Sequence, residues 1–416
     1  MEPAIEATIN QADTAWLMVS CALVLLMTPG LALFYGGMVS EKNVLSTTMH
    51  SFIALGIITL QWVLIGYSLA FGPDAYGGLI GGLDYAFLDG VGLEPADADA
   101  TIPHILFMAF QMMFAIITPA LISGAIAERM KFSAYVLFIL LWATLVYDPI
   151  CHWVWGPDGW LRARGALDFA GGTVVHLSSG VAALVCALVI GRRNRPGPPH
   201  NLTLTLIGAG LLWFGWFGFN AGSALASNEN AALALVNTHL AAGAAAFAWA
   251  IAEWIKQGKP TALGVASGLV AGLVCITPAA GFVGPGWSVV MGVAAGFICY
   301  GAVLAKNKLG YDDALDAFGI HGVGGALGAI LTGALAAEAW GGENGLLYGN
   351  KSLFLENLLG VGVAALYSFG VTFIILKALD LTIGLRVSDD EESEGLDTNL
   401  HGEEGYHMGG SGALVE

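Results

Sequence analysis

Two histidines stand in segments otherwise too apolar to carry an ionisable side chain. His176 ends the run Gly171-Gly172-Thr173-Val174-Val175-His176, and His321 lies within Phe318-Gly319-Ile320-His321-Gly322-Val323. Each follows an aspartate at the same spacing, Asp168 before His176 and Asp313 before His321. On a helix that spacing is about two turns, so each imidazole is set roughly 10 Å along its helix. Ionisable groups at such depth are costly, and they usually face a cavity or a partner. Two imidazoles at matching depth can share one proton through an N–H···N bond, giving an uncharged polar track able to accept a proton and hand it on. Metal binding is the competing chemistry for two imidazoles, but no third or fourth ligand stands at a suitable spacing, so no metal is expected.

Aromatic residues gather near the expected outer ends of the apolar runs: Phe110 and Phe114, then Trp155, then Trp216 and Phe219. An interfacial aromatic belt accounts for such residues in general. Ser223 adds something more specific, because Phe219-Asn220-Ala221-Gly222-Ser223 puts a hydroxyl acceptor beside aromatic faces. Ring faces with one hydroxyl suit a small cation, held by cation–π attraction and a hydrogen bond. Asp168 and Asp316 stand where helices begin and are expected to cap free backbone N–H groups. A carboxylate near the path of a cation also favours that cation electrostatically.

The elements that position these groups follow from composition. Of 416 residues, 56% are hydrophobic and 11% charged, against roughly 25% charged in soluble domains. Apolar runs long enough to span a bilayer as helices, about 20 residues each, recur at 15–38, 45–71, 104–127, 132–155, 171–190, 202–222, 231–255, 262–283, 287–305, 315–337 and 354–377. The runs are continuous, without the alternation of membrane β-strands, so the expected fold is an all-α polytopic membrane protein with eleven transmembrane helices. With the N-terminus outside, the inner segments hold Lys42, Arg129, Lys131, Arg192, Arg193, Arg195, Lys256, Lys259, Lys306, Lys308, Lys377 and Arg386, leaving only Arg162, Arg164 and Lys351 outside. That asymmetry predicts an outer N-terminus and an inner C-terminus. The acidic start, with Glu2, Glu6 and Asp13, lacks the basic region of a cleaved leader.

The net charge of −17 sits largely in outer loops and in the tail, as solvated surface charge, and implies no nucleic-acid partner. Cys21, Cys151, Cys186, Cys275 and Cys299 fall in or near apolar spans without a CxxC, and read as small buried hydrophobes. Frequent glycines, such as Gly324, Gly325 and Gly328, imply tight helix packing. The matching aspartate–histidine spacing at the fifth and tenth runs suggests a five-plus-five repeat. An odd number of crossings per unit inverts the second copy, and inverted repeats place a shared site near the midplane. Residues 1–385 form the membrane domain; residues 386–416, opening on an acidic stretch from Asp389, form a cytoplasmic tail.

These segments resemble the ammonium transporter, methylammonium permease and Rhesus family, in its bacterial ammonium transporter branch. The resemblance rests on Thr28-Pro29-Gly30-Leu31-Ala32-Leu33-Phe34-Tyr35-Gly36-Gly37, on Asp168 through His176, on Gly215-Trp216-Phe217-Gly218-Phe219-Asn220-Ala221-Gly222-Ser223, and on Phe318 through Gly322. It implies a protomer with a pseudo-twofold, assembled as a homotrimer in the cell inner membrane, with one ammonium or ammonia pore per subunit. It further implies that Phe114, Trp155 and Ser223 form an outer recruitment site supported by Asp168. Phe114 and Phe219 would be stacked rings closing the pore, Phe110 and Trp216 vestibule aromatics, and His176 with His321 the pore lining. The tail resembles the family's regulatory terminus through Gly384-Leu385-Arg386-Val387, Glu394-Gly395-Leu396-Asp397 and His401-Gly402-Glu403, which implies a P-II-type nitrogen-signalling partner. One departure is Gly156-Pro157-Asp158-Gly159-Trp160, bulkier than the glycine-rich loop of relatives, which puts the shape of the outer vestibule in question.

No nucleophile–base set, phosphate loop or cofactor motif is present, so neither an enzyme nor a cofactor is expected. A membrane sensor of ammonium is the rival class, and this sequence holds no kinase or cyclase segment to serve as its output. A urea or water channel would leave the aromatics and histidines idle.

Overall fold

The computed structural model describes residues 8–406; Glu2, Glu6 and the extension beyond Tyr406 lie outside the described residues. Eleven apolar helices are arranged as α1 Gln11–Met38, α2 Glu41–Phe71, α3 His104–Ile126, α4 Phe132–Ala163, α5 Gly172–Ile190, α6 Leu202–Ala224, α7 Glu229–Gln257, α8 Ala262–Ile276, α9 Pro285–Leu309, α10 Phe318–Leu335 and α11 Lys351–Thr382. Capping residues mark several starts: the side chains of Asn10, Asn201, Asn228, Thr261 and Asn350 each accept a backbone N–H from the first turn. Glycines with positive φ end α7 and α9, at Gly258 (φ 78°) and Gly310 (φ 81°).

The span expected at 262–283 is shorter in the structure. Helix α8 stops at Ile276, because Pro278 has no N–H to continue the ladder. The chain then turns, and Asn237 Nδ2 donates to the carbonyls of Ala280 at 2.9 Å and Val283 at 2.8 Å, satisfying backbone that the helix would otherwise have satisfied.

Helices α5 and α10 cross at their closest where side chains are missing. A Cβ on Gly180 would fall 2.0 Å from the Gly322 nitrogen, and one on Gly325 would fall 2.8 Å from the Leu177 nitrogen. Gly180 stands four residues after His176, and Gly325 four residues after His321. The contact is therefore reciprocal, each helix placing its glycine against the residue that follows the other's histidine. Both helices also open in a π-type turn, Gly172–Leu177 and Phe318–Gly322, which carries the histidine.

The expected helix caps divide unequally. Asp168 Oδ1 accepts from Gly171 N (2.9 Å) and Gly172 N (2.7 Å), and Oδ2 from Thr173 N (2.8 Å) and Val174 N (3.1 Å). At α10 the cap is Asp313, accepting from Ala317 N at 3.1 Å and Phe318 N at 2.8 Å. Asp316, expected to be that cap, has φ 63° and pairs with Lys306 instead. Its left-handed backbone turns its carboxylate away from the free N–H groups of the first turn.

On the face bearing the 3–4, 5–6 and 9–10 connections, a charged network holds the loops and the tail together. Buried Arg129 donates to the carbonyls of Gly191 (2.9 Å), Ala125 (2.8 Å) and Asp312 (2.6 Å). Arg193 pairs with Glu128 and Asp312, both at 2.8 Å. The tail docks on this face: Asp397 accepts from Leu45 N at 2.9 Å and Ser46 N at 2.7 Å, so a residue from near the chain's end caps the α-helical part of α2, which begins at Val44 after the 3-10 turn Glu41–Asn43. Glu392 joins through Arg386 at 2.6 Å and the Asn194 backbone at 2.6 Å.

Leucine at position 180 has no space, so Gly180→Leu is expected to cost upwards of about 3 kcal/mol by overpacking and to leave no monodisperse protein on size exclusion. The network carries a pH signature. Burial pushes the Asp312 carboxyl up, but the paired Arg193 bonds outweigh it and hold it down at about 2. Its contribution is present above the ordinary carboxylate value and disappears as pH falls through the folded value. Stability measured from pH 4 to pH 2 should fall in the wild type, and Asp312→Asn should flatten that fall while lowering stability at neutral pH.

Candidate transport pathway

An open vestibule of about 280 Å³ is lined by Phe107, Gln111, Phe114, Trp155, Asp168, Phe169, Ser223 and Phe282, among others. The Trp155 ring stands edge-on to Phe114, 5.8 Å between centroids at 90°. Its Nε1 donates to the Asp168 carbonyl at 2.8 Å, which locks the indole in place. Here Asp168 works in two ways: its main-chain oxygen holds Trp155, and its carboxylate spends both oxygens on the start of α5. Burial pushes that carboxyl above its usual range, while the four N–H donors pull it back. Ser223 Oγ donates to the Phe219 carbonyl at 2.8 Å, so what it offers the vestibule is acceptor lone pairs.

At the vestibule floor Phe114 and Phe219 lie 4.2 Å apart at 32°, too close to admit any molecule between the rings. Beyond them is a narrow lumen lined by Met27, Leu31, Phe34, Ile117, Leu121, Leu212, Trp216, Phe219 and Val270, with His176 and His321 as its ionisable groups. Its volume is about 10 Å³, room for about one water molecule. His176 Nδ1 and His321 Nδ1 approach to 3.3 Å, with the rings nearly parallel at 18°. An Nδ1–Nδ1 hydrogen bond needs one protonated and one bare nitrogen. With both rings neutral, the donor ring then has a bare Nε2 and the acceptor ring an Nε2–H. The pair offers its surroundings one acceptor and one donor, without charge.

Two sequence assignments shift in depth. Phe110 and Trp216, expected among the vestibule aromatics, are both buried and line no part of the vestibule, and Trp216 instead lines the lumen below it. Phe110 packs edge-on against Phe114 at 5.0 Å. Trp216, one turn inward of Phe219 on α6, stacks on His176 at 5.2 Å and 19° and donates Nε1 to Thr277 Oγ1 at 2.9 Å. Trp160, the bulky residue of the 156–160 loop, packs on Trp153 at 6.0 Å and leaves the vestibule open. Gln111 escaped sequence reading, although a polar residue one turn before Phe114 was a visible signal; its Oε1 is buried without a hydrogen-bond partner.

The profile of the Ammonium Transporter Family matches residues 15–406. The chain belongs to the ammonium transporter family. It is 53% identical over 402 residues to the ammonium transporter of Bacillus subtilis, covering 95% of this chain and 99% of that protein. Among solved structures it is similar to Saccharomyces cerevisiae Mep2, with a TM-score of 0.86 and 38% identity over 92% of this chain and 89% of that one. A structure described as a sensor Amt protein matches with a TM-score of 0.86 at 30% identity, over 93% of this chain and 98% of that one. The eleven-helix membrane fold is thus that of solved ammonium transporter family members.

Asp168→Ala would leave four N–H groups at the start of α5 without acceptors, each costing about 1–3 kcal/mol when buried. Thermal unfolding in detergent should show Asp168→Ala without a folded transition. Asp168→Asn, which keeps one carbonyl oxygen for two of the bonds, should fold with a lowered midpoint.

Proposed function

We propose that this protein transports ammonium: it recruits the cation in the vestibule at Phe114, Trp155 and Ser223 and conducts ammonia through the lumen past His176 and His321. The observation that carries the reading is the 3.3 Å histidine pair in an otherwise apolar lumen, directly below an aromatic vestibule with a hydroxyl acceptor. Moving a bare monovalent charge through such a lumen costs at least about 3 kcal/mol. Ammonium can avoid that cost by leaving a proton behind; potassium cannot. Aromatic faces and the Ser223 lone pairs replace water around the cation, and ring movement of Phe114 and Phe219 admits the neutral species. The donor–acceptor character of the pair suits ammonia, which both donates and accepts. The proton follows separately along the two imidazoles, so net transport is electrogenic.

In this reading the chain sits in the cell inner membrane with its N-terminus outside, assembled as a homotrimer. It is not an enzyme and uses no cofactor. Residues 386–416 form a cytoplasmic regulatory tail on which a P-II-type nitrogen-signalling protein acts. A reporting role beside transport is favoured by the docking of the tail on α2 through Asp397, in keeping with the similarity to a sensor Amt protein.

Proteoliposomes given ammonium or potassium pulses while charge movement is recorded test this directly. Ammonium should give currents and potassium none; equal currents from both would end the selectivity argument. His176→Ala and His321→Ala should each lower ammonium flux by about tenfold or more, or admit potassium. Unchanged flux and selectivity in both would return the histidines to a purely structural role.

A further inference from the structure

An acidic group also lies buried in a membrane-spanning helix, outside the pathway just described. Asp148 follows the π-type turn Ala143–Tyr147 of α4, and Gln61 precedes the corresponding turn Trp62–Gly66 of α2. Asp148 is 0% exposed and Gln61 3%. The two are bonded, Gln61 Nε2 donating to Asp148 Oδ2 at 2.7 Å and also to Thr144 Oγ1 at 3.2 Å. Neither lines the vestibule or the lumen.

What is missing at this pair is a donor. Asp148 Oδ1 and Gln61 Oε1 are both buried with no hydrogen-bond partner, and so is the neighbouring Tyr147 hydroxyl. No cation compensates the carboxylate, since Asp148 takes part in none of the ion pairs among the described residues. The titratable groups that interact with it are Tyr147 and Cys151 along its own helix, and Gln61 bonds it from α2; none brings positive charge. An unpaired charge and two orphaned acceptors in a bilayer would each be costly. A metal ion is poorly served, because hard cations take about six oxygens and only three are orphaned here. A proton serves the charge and both orphaned acceptors of the pair at once, the Tyr147 hydroxyl lying outside the pair. Placed on Oδ1 it removes the charge, turns one orphan into a donor and gives the other its bond. With the existing Gln61 Nε2 bond it forms a doubly bonded acid–amide pair.

We propose that Asp148 and Gln61 form a proton-binding site within the membrane, separate from the pore, in which the Asp148 carboxyl carries a proton on Oδ1 and donates it to Gln61 Oε1. The site lies behind the pore wall on α2 and α4 and holds a proton that the histidine track does not handle.

Infrared spectroscopy of the full-length protein in liposomes at neutral pH tests the proposal. The wild type should show a protonated-carboxyl C=O band that shifts with carboxyl-¹³C aspartate and is lost in Asp148→Asn. In Gln61→Leu the band should persist but move to higher frequency, its hydrogen-bond acceptor gone. A spectrum unchanged by Asp148→Asn means that Asp148 is ionised and overturns the proposal. Should that variant not fold, Gln61→Leu carries the test, and a band that does not move overturns it. A wild-type unfolding midpoint raised by sodium relative to potassium, with no such rise in Asp148→Asn, would put a metal ion where we place the proton and equally overturn it.

Discussion

Everything in the pathway depends on how closely two helices can cross. The histidines meet at 3.3 Å because α5 and α10 touch backbone to backbone at Gly180, Gly322 and Gly325. A single methyl group at either crossing glycine would separate the helices and with them the imidazoles. Two polar rings in an apolar lumen are tolerable only as a pair, since each supplies the other's hydrogen bond in a place where water is scarce. Close packing is thus the condition for the chemistry, and the glycines that look featureless in the sequence set the distance on which it rests.

Around that crossing the surroundings are fixed by bonds that leave little freedom. Asp168 holds the start of α5 with its carboxylate and Trp155 with its carbonyl. Trp216, stacked on His176, is itself tethered to Thr277, the residue just past the end of α8. The early stop of α8 before Pro278 therefore reaches the histidine through one indole. Preorganisation of this kind lets a site bind without spending much on ordering its own side chains.

The sequence made some of this legible and concealed the rest for definable reasons. Spans stood out because continuous apolar length is a one-dimensional property. His176 and His321 stood out because an ionisable group in such a run is expensive. Depth and rotation are not one-dimensional: Trp216 and Phe219 share a face of α6 and both pack on His176, and only packing shows that Phe219 also forms the vestibule floor. The cap at α10 was assigned to Asp316 by proximity, whereas the positive φ at that residue gives the role to Asp313. Tail docking was invisible because Asp397 and the N–H groups of Leu45 and Ser46 are more than three hundred residues apart. Asp148 is as visible in its apolar run as the histidines are, but its partner Gln61 lies 87 residues away on another helix, so the pairing that gives it meaning is not legible in one dimension.

The Nδ1–Nδ1 bridge has a further consequence, of parity. Two neutral imidazoles joined in this way exist in two mirror arrangements, according to which ring holds the bridging hydrogen. A proton that enters at one Nε2 and leaves at the other moves the bridging hydrogen across and leaves the pair in the opposite arrangement. The same passage cannot be repeated in the same direction until both rings are reset. Turning a ring about its Cβ–Cγ bond does not reset it, because that rotation leaves the hydrogen on the nitrogen that already holds it. In the proposed proton path the pair therefore acts as a one-bit register, which each proton would flip and something else would have to clear.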